Sequence, residues 1–404
     1  MRISLCLFAA ALLPLSTVHA AQLTGRASLF GSAARAEPGD IGNTGSGDRT
    51  LTSDQQSLRL MLDDAQDKVE WSLHVKTARQ HLRGIPPAAG HSSDLFRYHP
   101  WAGDWVDKTG TDSSTRVGYE LDRAVYKRRF GQIAASLGRQ PIDWGSGRFW
   151  QPMNVFGAFA PTDLDTDFKP GIDTAVVDWF PSAFSSLTAV YALSPRNDQT
   201  IDDSAAIRYR RQVGERSEMA LLAGRVIGND VAGASFETDW AGLGWRIEGV
   251  RYKLEQPREN SVFWIAGVDY QVGNGTSVIA EWYENSRGAA DEPSLAAMQS
   301  DRLVASGLQP QLGRRVLGLS AEKDITPLVH GSYKLFLSPL TSANGRTNTS
   351  LLHQLSVVYS VSNESDLLLS LLYASGKGLN AQGQPRSEFG HQPASVTLRL
   401  RYYF

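Results

Sequence analysis

The sequence predicts an all-β fold, a transmembrane antiparallel up-and-down β-barrel of about eighteen strands with long extracellular loops and short periplasmic turns. Three observations predict it. Apolar and polar side chains alternate residue by residue over most of the chain, connections alternate between short and long, and no later stretch is long and apolar enough to cross a bilayer as a helix.

The first twenty residues read differently from the rest. Arg2 gives a positive start, Leu5 to Leu15 a short apolar run, and Val18-His19-Ala20 a small-residue cleavage signature. These are the parts of a signal peptide, so residues 1–20 are expected to be removed, leaving 21–404 as a single barrel domain. The only cysteine, Cys6, lies in that leader. A thiol-free mature chain excludes disulfide frameworks, thiolate metal sites and cysteine nucleophiles. It fits export through an oxidising periplasm, and equally fits chance. Forty Lys and Arg against 42 Asp and Glu leave a net charge of -2, so no basic field invites nucleic acid. A charged fraction of 20% would suit a soluble protein, and it also suits a barrel whose strands turn one face to a wet lumen.

The strands follow in order. Leu58, Leu60 and Leu62 oppose Arg59 and Asp63; Val69, Trp71, Leu73 and Val75 oppose Lys68, Glu70, His74 and Lys76. Val262, Trp264, Ala266, Val268 and Tyr270 share a face, as do Tyr333, Leu335 and Leu337. At the end, Val396, Leu398, Leu400, Tyr402 and Phe404 back onto Ser395, Thr397, Arg399, Arg401 and Tyr403. A period of two puts each set on one face of a strand. Large apolar sets with aromatics near strand ends suit a lipid-facing wall with aromatic girdles. Two segments fit less well: Leu367 to Leu372 is apolar on both faces, and Trp245 to Tyr252 changes phase, as a bulge would make it do. Short turns are expected near 64–67, 127–129, 181–184, 213–216, 241–244, 273–275, 324–327 and 362–365. Longer connections fall near 34–54, 79–115, 140–172, 287–312, 339–349 and 375–393, with modest ones near 195–203, 227–231 and 254–260. No helix is apparent.

A chain ending in alternating apolar residues with a last Phe404 resembles the Gram-negative outer-membrane porins. The resemblance implies a channel among outer-membrane lipid and lipopolysaccharide, with Phe404 as a signal to the barrel assembly machinery. The strand number, with Gly138-Arg139-Gln140 leading into a long third loop, also resembles the family that includes alginate exporters.

That third loop follows a fifth strand expected at Gly131–Gly138. In general porins the corresponding loop folds into the lumen, so the resemblance implies a constriction here. Its charged residues are Asp143, Arg148, Asp163, Asp165, Asp167 and Lys169, with Asp173 just beyond. Phe149, Trp150, Val155, Phe156 and Phe159 would pin it to the wall. An outer lid is the alternative. Closure makes the first and last strands neighbours, which sets Arg399 and Arg401 beside Arg26, Arg59, Lys68 and Lys76 as a basic lumen wall. Facing an acidic loop, such a wall imposes a transverse field that favours polar or anionic solutes. The plainer alternative is that these charges only solvate the lumen and pair with Asp63, Glu70, Glu120 and Asp122.

The second long loop holds His81, His91, His99, Asp94 and Asp104, a spacing that matches no compact metal-ligand set. Its aromatics, Phe96 to Trp105, either stack on a sugar or pack the loop down. Gly145-Ser146-Gly147 lacks the glycine spacing of a nucleophile elbow. The expectation is a passive channel for polar or charged small solutes or a polysaccharide chain, without cofactor, metal or chemical step. A plugged structural or adhesion barrel and an outer-membrane hydrolase are the competing classes.

Overall fold

In the computed structural model the described residues are 21–43, 45–84, 92–99, 101, 108–109, 113–196, 201–255, 259–342 and 344–404. The leader, with Cys6, and the loop residues His91 and Asp104 lie outside them.

Among the described residues eighteen long strands pair antiparallel, each with its chain neighbours, and the last pairs with the first to close a barrel. They are β1 (Gln22–Ala36), β2 (Arg49–Gln66), β3 (Val69–Arg83), β4 (Ser113–Phe130), β5 (Ile133–Gln140), β6 (Ile172–Ser182), β7 (Ser185–Ala192), β8 (Ser204–Val213) and β9 (Ser217–Val226). The circuit continues with β10 (Asn229–Trp240), β11 (Leu243–Lys253), β12 (Asn260–Gln271), β13 (Ser277–Asn285), β14 (Arg315–Thr326), β15 (Val329–Thr341), β16 (Thr347–Ser360), β17 (Ser365–Ser375) and β18 (Ala394–Tyr403). A two-residue segment, Lys108–Thr109, adds to the edge of β4. Short turns and longer loops alternate around the barrel as the sequence indicates, except that the connection expected near 227–231 is only the two-residue turn Ile227-Gly228. One turn moves: β4 runs through Lys127–Arg129 to Phe130 and reverses at 131–132, where Gly131 has φ +62°. The run of cations is strand, with Arg128 and Arg129 lying over the rings of Phe130 and Phe180.

The outer wall is apolar. Leu29, Leu60, Leu73, Leu221, Ile247, Leu369 and Leu398 are all exposed, and lipid is the surrounding that removes such area from water. Phe130, Trp179, Phe184, Trp240, Tyr270, Tyr359 and Tyr402 ring the turn end; Tyr119, Tyr191 and Tyr373 stand nearer the loop end. At the seam, Gly25 and Phe404 exchange backbone hydrogen bonds of 2.8 and 3.0 Å. A side chain at Gly25 would collide with the Phe404 ring, so the glycine makes the seat for that aromatic.

Inside, the barrel departs from a water-filled tube. Inward residues of β6 to β16, among them Val176, Leu222, Val250, Tyr252, Ile265, Tyr283 and Phe336, form one buried apolar cluster. This corrects the bulge expected between Trp245 and Tyr252. β11 pairs with β12 without a register shift; Trp245 and Ile247 face out, Val250 and Tyr252 face in. The apparent phase change is an apolar lumen face. Leu368 is likewise buried inside while Leu367, Leu369 and Leu371 face out.

Two short helices, α1 (Glu292–Met298) and α2 (Arg302–Ala305), occupy the loop between β13 and β14. The sequence reading had no helix there, although Asp291 caps α1 by accepting from the Ser294 amide and Asp301 caps α2.

Candidate functional site: the third loop and the wall it faces

The third loop, residues 141–171, leaves β5 and returns to β6 after crossing the barrel interior. Its root is held by Arg139, 2% exposed, whose guanidinium donates to both oxygens of Asp173 at 2.8 and 2.9 Å. Asp173 therefore stands on β6 as a structural partner, apart from the loop acids with which the sequence grouped it.

The first limb is docked by packing and by two wall carboxylates. Glu281 of β13 accepts from three successive amides, Arg148 (2.9 Å), Phe149 (3.0 Å) and Trp150 (2.9 Å). Glu248 of β11 accepts from the Ser146 amide and hydroxyl, both at 2.6 Å, and from the Met153 amide at 2.6 Å. Buried carboxylates are costly unless met by hydrogen bonds, and amide donors meet these. Gly147 is needed here, because a Cβ would lie 1.7 Å from the Trp150 carbonyl. Trp150, Met153 and Phe156 are almost wholly buried, each contributing about 1.5–3 kcal/mol by area removed from water. Gly318 of β14 leaves the room that the Phe149 ring fills.

The second limb runs along the opposite, charged side. Lys334 donates to the Pro161 carbonyl and Gln354 to that of Thr162, both at 2.9 Å, and Arg399 donates to that of Leu164. Arg26 grips Asp165 with two nitrogens at 2.7 and 2.8 Å and reaches Asp167 at 2.8 Å. Arg401 donates to both Asp167 oxygens at 2.6 Å, and the Tyr403 hydroxyl donates to the same carboxylate. Burial alone would raise the Asp167 pKa, but Tyr403, Arg401 and Arg26 hold it below the usual carboxylate range. Phe168 lies over Arg26 and Arg59, 4.8 and 4.3 Å from ring centre to guanidinium carbon. Lys169 ties the two limbs together, donating to Asn154 at 2.6 Å and Asp143 at 3.2 Å. Burial pulls its pKa down to about 8 against the opposing pull of Asp143.

Between this limb and β1–β4 a cavity of about 490 Å³ remains, lined by Arg26, Arg59, Lys76, Arg97, Asp163, Asp165, Phe168 and Lys169 among others. A bulge between His74 and Val75 leaves Asp122 opposite no partner on β3. Asp122 accepts from Arg59 at 2.6 Å. Arg97, delivered by the second loop, pairs with Glu120 and donates to the Gly171 carbonyl at 2.8 Å.

The expected residues thus separate. Arg26, Arg399, Arg401, Asp165, Asp167 and Lys169 come together, Arg59 and Lys76 line the same cavity, and Asp163 caps a turn by accepting from the Ala160 amide. Lys68 does not join them: it sits exposed on the turn between β2 and β3, because β2 ends at Gln66. Arg148 points to the far side of the loop, 3.8 Å from Asp269, into a second chamber of about 430 Å³ at the turn end. Nor are acid and base held apart across water, as a transverse field requires; several close into contact pairs. Sequence reading missed Glu248, Glu281, Arg97 and Phe168. For the two glutamates a signal existed, since each is an acid among the inward apolar positions of its strand. Among the described residues the candidate ligands of the second loop stay apart, with His81 on Thr115, His74 on Asp63 and Asp94 on Arg97. Phe96 packs edge-on against Phe156 of the third loop, the packing role of the two considered.

No family model matches the sequence. No curated protein is similar to it in sequence. Solved structures do match. OccAB1 of Acinetobacter baumannii aligns with a TM-score of 0.58 at 11% identity, covering 95% of this chain and 96% of that one. A BenF-like porin from Pseudomonas fluorescens Pf-5 gives 0.58 at 12%, covering 95% and 98%. Pseudomonas aeruginosa OpdK, solved with vanillate, gives 0.54 at 12%, covering 95% and 98%. With the closed circuit of strands, these likenesses identify the fold as that of the Gram-negative outer-membrane porins.

Proposed function

We propose that the protein is a passive channel in the bacterial outer membrane for small polar or anionic solutes, narrowed by its third loop. The observation that carries this reading is the charged cavity between the loop's second limb and β1–β4, where Arg26, Arg59, Lys76, Arg97 and Lys169 share the lining with Asp54, Glu120, Asp122, Asp163 and Asp165. Such a mixed lining suits polar solutes, and the fixed guanidinium forks of Arg26, Arg59 and Arg97 suit carboxylate or phosphate. The loop residues that would form the constriction are Asp163, Asp165, Asp167, Phe168 and Lys169; the wall residues are Arg26, Arg59, Lys76, Arg399 and Arg401. A cavity of about 490 Å³ is in the range of single small ligands, which favours small solutes over a polysaccharide chain. OpdK was solved with vanillate, a solute of that size class.

Planar-bilayer recording of the purified chain tests the reading. Discrete openings with a reversal potential on the anion side are expected. A barrel that never opens would instead be a plugged structural one, a reading that the apolar filling of β6–β16 keeps in play. Liposome swelling with sugars and organic acids of graded size would then give the cut-off.

A further inference from the structure

The third loop is held in two different ways along its length. From Ser146 to Phe156 its amides bond Glu248 and Glu281, and its rings lie in the apolar cluster. From Pro161 to Lys169 it is held by ion pairs and single carbonyl contacts. Gly157, with φ +107°, stands between the two parts in a conformation that L side chains rarely adopt. The charged attachments have a particular form. Arg26 is 5% exposed and commits both terminal nitrogens to Asp165, and with Arg401 and Tyr403 it converges on Asp167. Two guanidinium groups and a hydroxyl around carboxylate oxygens is the arrangement a bound oxyanion would take. The cavity opens beside it, since Arg26, Asp165 and Phe168 all line that space. One terminal nitrogen of Arg26 already spends its two N–H donors on Asp165 and Asp167, and the other donates to Asp165, so an oxyanion takes the two-pronged face only by displacing them.

We propose that Asp165 and Asp167 are a tethered competitor for oxyanions. They latch the second limb to Arg26, Arg401 and Tyr403, and a solute carboxylate or phosphate that takes those donors frees the limb, which swings about Gly157 and widens the conduit. The proposal rests on the channel reading and adds its regulation. Neutral solutes leave the latch shut, so charge selects by opening the path as well as by attraction. The first limb does not move, because buried packing and the amide bonds to Glu248 and Glu281 hold it, and its ion pairs, Arg148 with Asp269 and Asp143 with Lys169, lie outside that hold.

The test places a thiol on the exposed Thr166 as Thr166→Cys, with Cys6→Ser removing the natural one. The rate of modification by a charged, membrane-impermeant maleimide is read in acetate, in phosphate and in glycerol, at matched ionic strength. Acetate and phosphate are expected to raise the rate about tenfold, the factor for releasing a charge-assisted hydrogen bond, and glycerol to leave it unchanged. Adding Asp165→Asn and Asp167→Asn, which keep size but not charge, should make labelling fast in all three. Equal rates in the three solutions, or a double variant that labels like its parent, would overturn the latch. Currents recorded in parallel separate this from the channel reading: anion-dependent labelling without current sinks the channel, and current with anion-independent labelling sinks the latch alone.

Discussion

Lys169 joins the two limbs of the third loop and lines the cavity, and its ammonium loses its proton near pH 8. Two consequences carry signs. As pH rises through about 8 the cavity loses a positive charge, so anion preference should fall between pH 7 and 9. The reversal potential across that interval measures it, and Lys169→Met should hold the low-preference value throughout. Stability moves the other way. The unfolded lysine titrates near 10.5, so between about 8 and 10.5 the folded chain binds fewer protons and stability rises with pH. A thermal unfolding series in detergent that is steeper for the natural protein than for Lys169→Met would show this slope.

At the scale of the element, the third loop's first limb depends on Glu281 more than on any exposed charge. Glu281→Gln keeps the shape but replaces one acceptor oxygen by an NH2; with its remaining oxygen on the Phe149 and Trp150 amides, the Arg148 amide is left facing a donor, at about 1–3 kcal/mol. Faster hydrogen exchange over residues 144–156 and noisier open-state current are expected, with heat-modifiable migration unchanged because the strands keep their ladder. How far this was legible can be followed along single strands. Val396 to Phe404 read correctly because its outward face meets lipid and its inward face meets the charged second limb of the loop, so period two survives. β11 did not, because Val250 and Tyr252 face an apolar lumen and the contrast between faces vanishes. The anchoring acids were missed for the same reason: only the crossing loop, brought from about a hundred residues away, gives Glu248 its partners.

For the whole molecule, the outer wall is what commits the chain to a bilayer. Leu398 is 51% exposed on that wall, and Leu398→Arg should cost about 2–4 kcal/mol if it lies at the bilayer midplane, read by equilibrium folding into vesicles. Closure, strand number and the order of turns and loops were legible, because they follow from local alternation and turn chemistry. Which arcs of the interior hold water was not, because that is decided by where a loop lies down. The apolar cluster occupying the arc from β6 to β16 has one further effect under the channel reading. Traffic would run off-axis, hugging the stretch of wall next to the closure seam. Attempts to enlarge the bore by trimming side chains from the far arc would then cost stability and admit nothing larger.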